Sequence, residues 1–174
     1  MSRFKAAQSV WLLRAVVLVG TLAGLFGGVT EGLVPPVWVV VVVALGGVLA
    51  AFRPEHLAMS ATLVVVLVWW ALNLHAEVPV GCLVAAAGIV AAHVAGTLLG
   101  YGPPAMAVSG DLVRVWVVRG FLVWLAAPAI WLVALVYADR ATPTSFWLAG
   151  LGAALVGAVV AAIAVPQRGE ERGR

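Results

Sequence analysis

Long apolar runs broken by short polar or turn-forming clusters dominate the chain. A bilayer core of about 30 Å needs about 20 apolar residues of helix. Six stretches approach that length, at about 9–29, 35–52, 57–74, 78–100, 112–137 and 146–165. Charge or imidazole sits between them: Arg53 to His56 separates the second from the third, and His75 to Glu77 the third from the fourth. Merging the second and third would carry Arg53, Glu55 and His56 into lipid together, at high cost. The pattern predicts an all-α, polytopic membrane bundle of six transmembrane helices in one domain, residues 1–174, with 166–174 a polar tail. Four spans with interfacial helices is the fallback.

Composition agrees. The chain is 64% hydrophobic and 10% charged, against about 25% charged in an average soluble domain. The net charge of +3 comes without a polybasic run, which argues against a nucleic-acid partner. Cys82 is the single cysteine, so an intramolecular disulfide and a multi-cysteine metal site are both excluded. No metal and no cofactor is expected. The scarcity of Lys and Asn beside abundant Ala, Val, Gly and Arg suggests a GC-rich bacterial genome.

The first apolar run resembles a signal peptide, with Arg3 and Lys5 ahead of it. Its length, the interruption by Arg14 and the lack of an A-x-A site favour a retained anchor. Positive charge sets the orientation. With six spans, Arg3, Lys5, Arg53, Arg114, Arg168, Arg172 and Arg174 share one side, with Arg14 and Arg119 just inside it. Arg140 alone marks the other side, with Glu31, Glu77 and Asp139. Both termini are then cytoplasmic, in the inner membrane of a bacterium, as a multi-pass protein. Trp38, Trp69, Trp70, Tyr137, Phe146 and Trp147 fall at the outer interface, and Trp11, Phe52, Tyr101 and Trp116 at the inner one, as aromatic belts do.

Small residues predict the packing. Gly20, Gly24 and Gly28 recur every four residues in the first helix, as do Gly88, Ala92, Gly96 and Gly100 in the fourth, and Gly150, Ala154, Ala158 and Ala162 in the sixth. Such rows let helix backbones approach closely, and in lipid that packing holds a bundle together. Helices one, four and six are expected to make the close contacts, within the protomer or in a homo-oligomer. Pro128 should bend the fifth helix by removing a backbone donor. Trp116, Trp124 and Trp131 share one face of that helix, a packing stripe or a ligand-stacking one.

Polar groups within the spans are few, and each is a candidate site. No Asp or Glu lies deep in a span, which argues against a proton relay or a cation-coupled transporter. His93 has Thr97 one turn away; it is either a ligand-binding imidazole or a neutral His hydrogen-bonded to another helix. Arg14 and Arg119 sit a turn or so inside the interface and can snorkel to headgroups. Alternatively Arg14, Arg114 and Arg119 gather around a lipid phosphate, which suits the planar guanidinium fork, or around Asp111. Gly102, Pro103 and Pro104 end the fourth helix, and Asp111 is the expected N-cap of the fifth. Ser109-Gly110 echoes the motif of intramembrane rhomboid proteases. Ala107 stands in place of its first glycine, however, and His93 precedes the serine. Neither a phosphate-binding loop nor an H-E-x-x-H zinc site occurs.

Ala92-His93, Gly100-Tyr101-Gly102-Pro103-Pro104 and Asp111-Leu112-Val113-Arg114-Val115-Trp116 together resemble small, uncharacterised membrane proteins encoded beside MoxR-type AAA+ ATPases in high-GC bacteria. The resemblance covers about thirty residues, 92–120, and implies an accessory membrane subunit, with no active site to carry over. The expected function is therefore a non-enzymatic membrane subunit that anchors or scaffolds other membrane or cytoplasmic proteins. The alternative is a small-molecule or lipid-binding permease subunit, with a cavity lined by Trp69, Trp70, Asn73 and the outer loops. An enzyme centred on His93 is the third reading.

Overall fold

The computed structural model describes residues 2–53, 57–73, 79–100 and 110–137. The chain divides into a compact unit, Met1–Val136, and a second, Tyr137–Arg174; the sixth apolar run, the tail and Arg140 lie outside the described residues. Those described are helical, without a strand. The helices are α1 (Ser2–Phe26), α2 (Val37–Phe52), α3 (Ala58–Asn73), α4 (Gly81–Gly100), α5 (Gly110–Trp124) and α6 (Ala126–Tyr137). They match five of the six predicted segments to within a few residues, except that α1 starts earlier and the fifth segment is split.

Among the described residues, three stretches are long and apolar enough to cross a membrane: Gln8–Glu31, Gly81–Gly100 and Gly110–Val136. The helices α2 and α3 are apolar but have only 16 residues each, or about 24 Å at 1.5 Å per residue. Pro35 and Pro36 delay the start of α2, since neither supplies a backbone donor. A short 3-10 turn, Val29–Glu31, closes α1 and ends at Gly32, whose φ of 87° suits glycine.

The centre of the unit is the antiparallel pair α1 and α4. Gly20 lies against Gly88 and Ala92, and Gly27 against Gly81 and Ala85. A Cβ on Gly20 would stand 2.7 Å from the Gly88 carbonyl oxygen, and one on Gly88 would stand 2.6 Å from that of Gly20. Only backbone fits there. This is the contact expected from the glycine rows, made within one protomer. The row in α4 stops short of its predicted end: Gly96 receives Met59 of α3, and Gly100 has nothing within 4 Å.

Around this pair, α2 runs antiparallel to α1, with Gly47 against Thr21 and Leu18. Gly46 faces Thr62 of α3. Both threonines are buried, and their hydroxyls donate back to their own helices. Thr21 Oγ1 reaches the Val17 and Leu18 carbonyls at 3.0 Å, and Thr62 Oγ1 reaches the Ala58 carbonyl at 2.7 Å. A buried hydroxyl satisfied this way exposes little polarity to its neighbours. One core cluster joins Val17, Ala50, Ala51, Met59, Leu63, Ala92 and Ala95; another joins Leu25, Val39, Val43 and Val66. The outside stays apolar, with Trp38, Leu45, Leu72, Ile130 and Val136 exposed. Lipid, not water, suits such a surface.

A bend was expected at Pro128; the helix is interrupted at Leu125, between α5 and α6, three residues before that proline. Proline lacks the N–H that would bond the Trp124 carbonyl, and its ring crowds that carbonyl. Ala129 resumes the ladder by donating to the Leu125 carbonyl at 3.5 Å.

Candidate functional site

The arginines singled out from sequence lie toward one end of the bundle, where α1 and α5 begin and α4 ends. They do not converge. Arg14 is half-buried on α1, with its guanidinium carbon 4.6 Å from the Phe52 ring centroid and 5.2 Å from that of Trp11. These two rings meet edge-on, 6.1 Å apart at 80°. Electron-rich ring faces attract a cation at such distances. Arg14 Nε is buried with no hydrogen-bond partner among the described residues.

Asp111, Arg114 and Arg119 are exposed on α5. Asp111 is the second residue of this helix, not its N-cap, because the helix starts at Gly110. Its carboxylate still favours the first turn, where unpaired N–H groups carry partial positive charge. Arg114 and Arg119, five residues apart, point about 140° apart around the helix axis. They therefore serve different surfaces.

His93 is exposed on α4, while its neighbours Ala92, Ala95 and Gly96 are buried. Thr97 does lie on its face, but the Thr97 hydroxyl donates to the His93 backbone carbonyl, at 2.8 Å. Among the described residues, no three His, Cys, Asp or Glu side chains group to hold a metal.

Trp69, Trp70 and Asn73 were the expected walls of a ligand cavity. Trp70 Nε1 donates to the Gly24 carbonyl at 2.8 Å, and its ring packs on Gly28. Both tryptophans also cover the Leu25–Val39–Val43–Val66 cluster. Asn73 Nδ2 donates to the Trp69 carbonyl at 2.8 Å. These groups tie α3 to α1 and to itself. Trp116, Trp124 and Trp131 are half-buried amid exposed neighbours, and Trp124 Nε1 donates to the Leu83 carbonyl of α4 at 3.2 Å. At Trp124 the tryptophan stripe is a packing face.

What sequence reasoning missed is a lateral cleft of about 460 Å³ between α1, α4 and α5. Leu12, Leu13 and Val16 form one wall, Val90, Val94 and Leu98 the back, and Val113, Val117, Phe121 and Trp124 the other wall. Gly120 brings α5 onto Val90 and Val94 of α4. A shallower apolar groove of about 420 Å³ runs along the α1–α4 pair, over Val19, Ala23, Val84 and Ala91. The signal for the cleft was the row Val113, Val117, Gly120, Phe121 and Trp124, at the helical spacing of one face.

Compared with protein families, curated proteins and solved structures, the chain matches none.

Proposed function

We propose that this chain is a multi-pass inner-membrane protein with both termini cytoplasmic, acting as a non-enzymatic subunit that anchors or scaffolds partner proteins. The observation that carries the reading is the dispersal of its polar groups around a framework set by backbone contact. Arg14 lies on aromatic rings, His93 is exposed on α4, and Arg114 and Arg119 diverge on α5. Acid–base or nucleophilic catalysis needs its groups within hydrogen-bond reach of one another or of one bound substrate. Trp70 and Asn73, expected to line a permease cavity, donate to the Gly24 and Trp69 carbonyls, which favours packing roles for both.

Six spans remain the proposed topology. Although short, α2 and α3 lie beside α1: Phe52 meets Trp11 at one end, and Leu25 joins Val39, Val43 and Val66 toward the other. Helices a few ångströms too short can be accommodated by local thinning of the bilayer. Cysteines placed singly at Arg53 and at Thr30, in a Cys82→Ser background, test this. Labelling of Arg53→Cys from the cytoplasmic side and of Thr30→Cys from outside is expected. The reverse pattern would refute the orientation.

The resemblance to membrane proteins encoded beside MoxR-type ATPases makes such an ATPase the first partner to test. Affinity purification in a mild detergent, with quantitative mass spectrometry, should recover specific partners, and Arg114→Glu with Asp111→Lys should reduce them. Recovery of the chain alone under several gentle conditions would count against a scaffold.

A further inference from the structure

We propose that the α1–α4–α5 cleft is a binding site for one acyl chain of an anionic phospholipid, whose headgroup is held by Arg114. The inference rests on the reading that these helices cross a bilayer, and adds a defined ligand to it.

The chemistry is set by the walls. Among the described residues the lining is hydrocarbon, apart from the Trp124 indole, and that N–H is already committed to the Leu83 carbonyl. No polar ligand could find a hydrogen bond inside, and burying one unpaired is costly. An alkyl chain has no such requirement.

Its length also fits. Lining residues on α5 run from Val113 to Trp124, about 16 Å of helix at 1.5 Å per residue. One leaflet of hydrocarbon is about 15 Å deep, half of a core of about 30 Å. The Trp124–Leu83 bond joins α5 to α4 beyond the far end of this lining.

Charge selects the headgroup. Arg114 is exposed and directly follows Val113, the first lining residue of α5, at the edge of the lining face. Helical side chains lean toward the helix N-terminus, here toward the end of the cleft lined by Leu12, Leu98 and Val113. A guanidinium there can donate two parallel hydrogen bonds to a phosphate. Arg14 belongs to a different surface, on Phe52 of α2.

The test uses the full chain reconstituted in vesicles of phosphatidylglycerol and phosphatidylethanolamine, with a photoreactive diazirine on an acyl chain of either lipid. Adducts of the phosphatidylglycerol probe should concentrate on Val94, Leu98, Val117 and Phe121. Arg114→Gln should lower the phosphatidylglycerol-to-phosphatidylethanolamine ratio of cleft adducts by about fivefold, the usual effect of one basic residue at an anionic surface. Val117→Trp fills the cleft and should abolish those adducts, whereas Val118→Trp, exposed beside it, should not. Adducts spread evenly over the apolar exterior, or a ratio unchanged by Arg114→Gln, would overturn the proposal. So would a photoreactive residue at Val117 that captures protein in place of lipid. Membrane fractionation of each variant reads the underlying membrane assignment separately: a chain found outside the membrane defeats that reading, whatever the adducts show.

Discussion

The carboxylate of Glu31 accepts the backbone N–H of Gly81, at 3.0 Å to one oxygen and 3.2 Å to the other. Glu31 closes the turn after α1, and Gly81 opens α4, fifty positions later in the chain. A charged acceptor thus meets one of the unpaired donors at the start of a helix, where negative charge is favoured. The absence of a side chain at Gly81 lets Gly27 come close as well. The bond pins the ends of the two helices whose backbones pack most closely.

Glu31→Ala should therefore destabilise the bundle by about 1.5–3 kcal/mol, the range for a hydrogen bond to a charged group. Glu31→Gln, which can still accept the bond, should cost less. Thermal unfolding in a fixed detergent checks the order wild type, Gln, Ala. Equal loss in both variants would mean that charge alone accounts for the effect.

Packing between α1 and α4 predicts a sharp contrast among glycines. Gly88→Val puts carbon against the Gly20 carbonyl and should cost about 1–3 kcal/mol or more, as overpacking does. Gly100→Val, with nothing within 4 Å, should leave the unfolding midpoint nearly unchanged. A similar loss at both sites would show that helix propensity, not close approach, governs these positions.

Arg14 and Phe52 should be energetically coupled. A double-mutant cycle with Arg14→Gln and Phe52→Leu is expected to give about 0.5–2 kcal/mol, the range for a cation over a partly desolvated ring. Additive losses would place the guanidinium in the headgroups, away from the ring.

Trp70→Phe removes the donor to the Gly24 carbonyl while keeping most of the ring. A loss of about 0.5–1.5 kcal/mol is expected. Trp38→Phe, on the exposed side of α2, is the matched control and should change stability little. Loss at Trp38 equal to that at Trp70 would show that the indole bond does not hold α3 on α1.

Much of the helix layout was legible because lipid solubility and helix length leave a plain mark in one dimension. Runs of about 20 apolar residues, the prolines at 35 and 36, and Pro128 locate elements and breaks without knowledge of their neighbours. Glycine and alanine spacing also placed α1 and α4, with the sixth run, among the closely packed helices. The spacing of Gly20, Gly24 and Gly28 is a property of one helix and leaves its partners open. Gly46 and Gly47 gave no four-residue row, and yet each receives a threonine from a different helix. Asp111 had the expected composition for a cap, but the helix starts one residue sooner.

The sequence by itself determined that this is an apolar helical chain, where its helices lie, and which residues are small enough for backbones to meet. Only the tertiary structure decided what each polar side chain does. Trp70 could have lined a cavity, and bonds to Gly24 instead; Arg14 could have joined Arg114, and lies on Phe52. Those outcomes depend on which faces of α1, α2, α3 and α5 are turned toward one another. A helix rotates its residues by about 100° each, so sequence specifies a residue's face on its own helix. Which neighbour occupies that face is set by the packing of all the helices together.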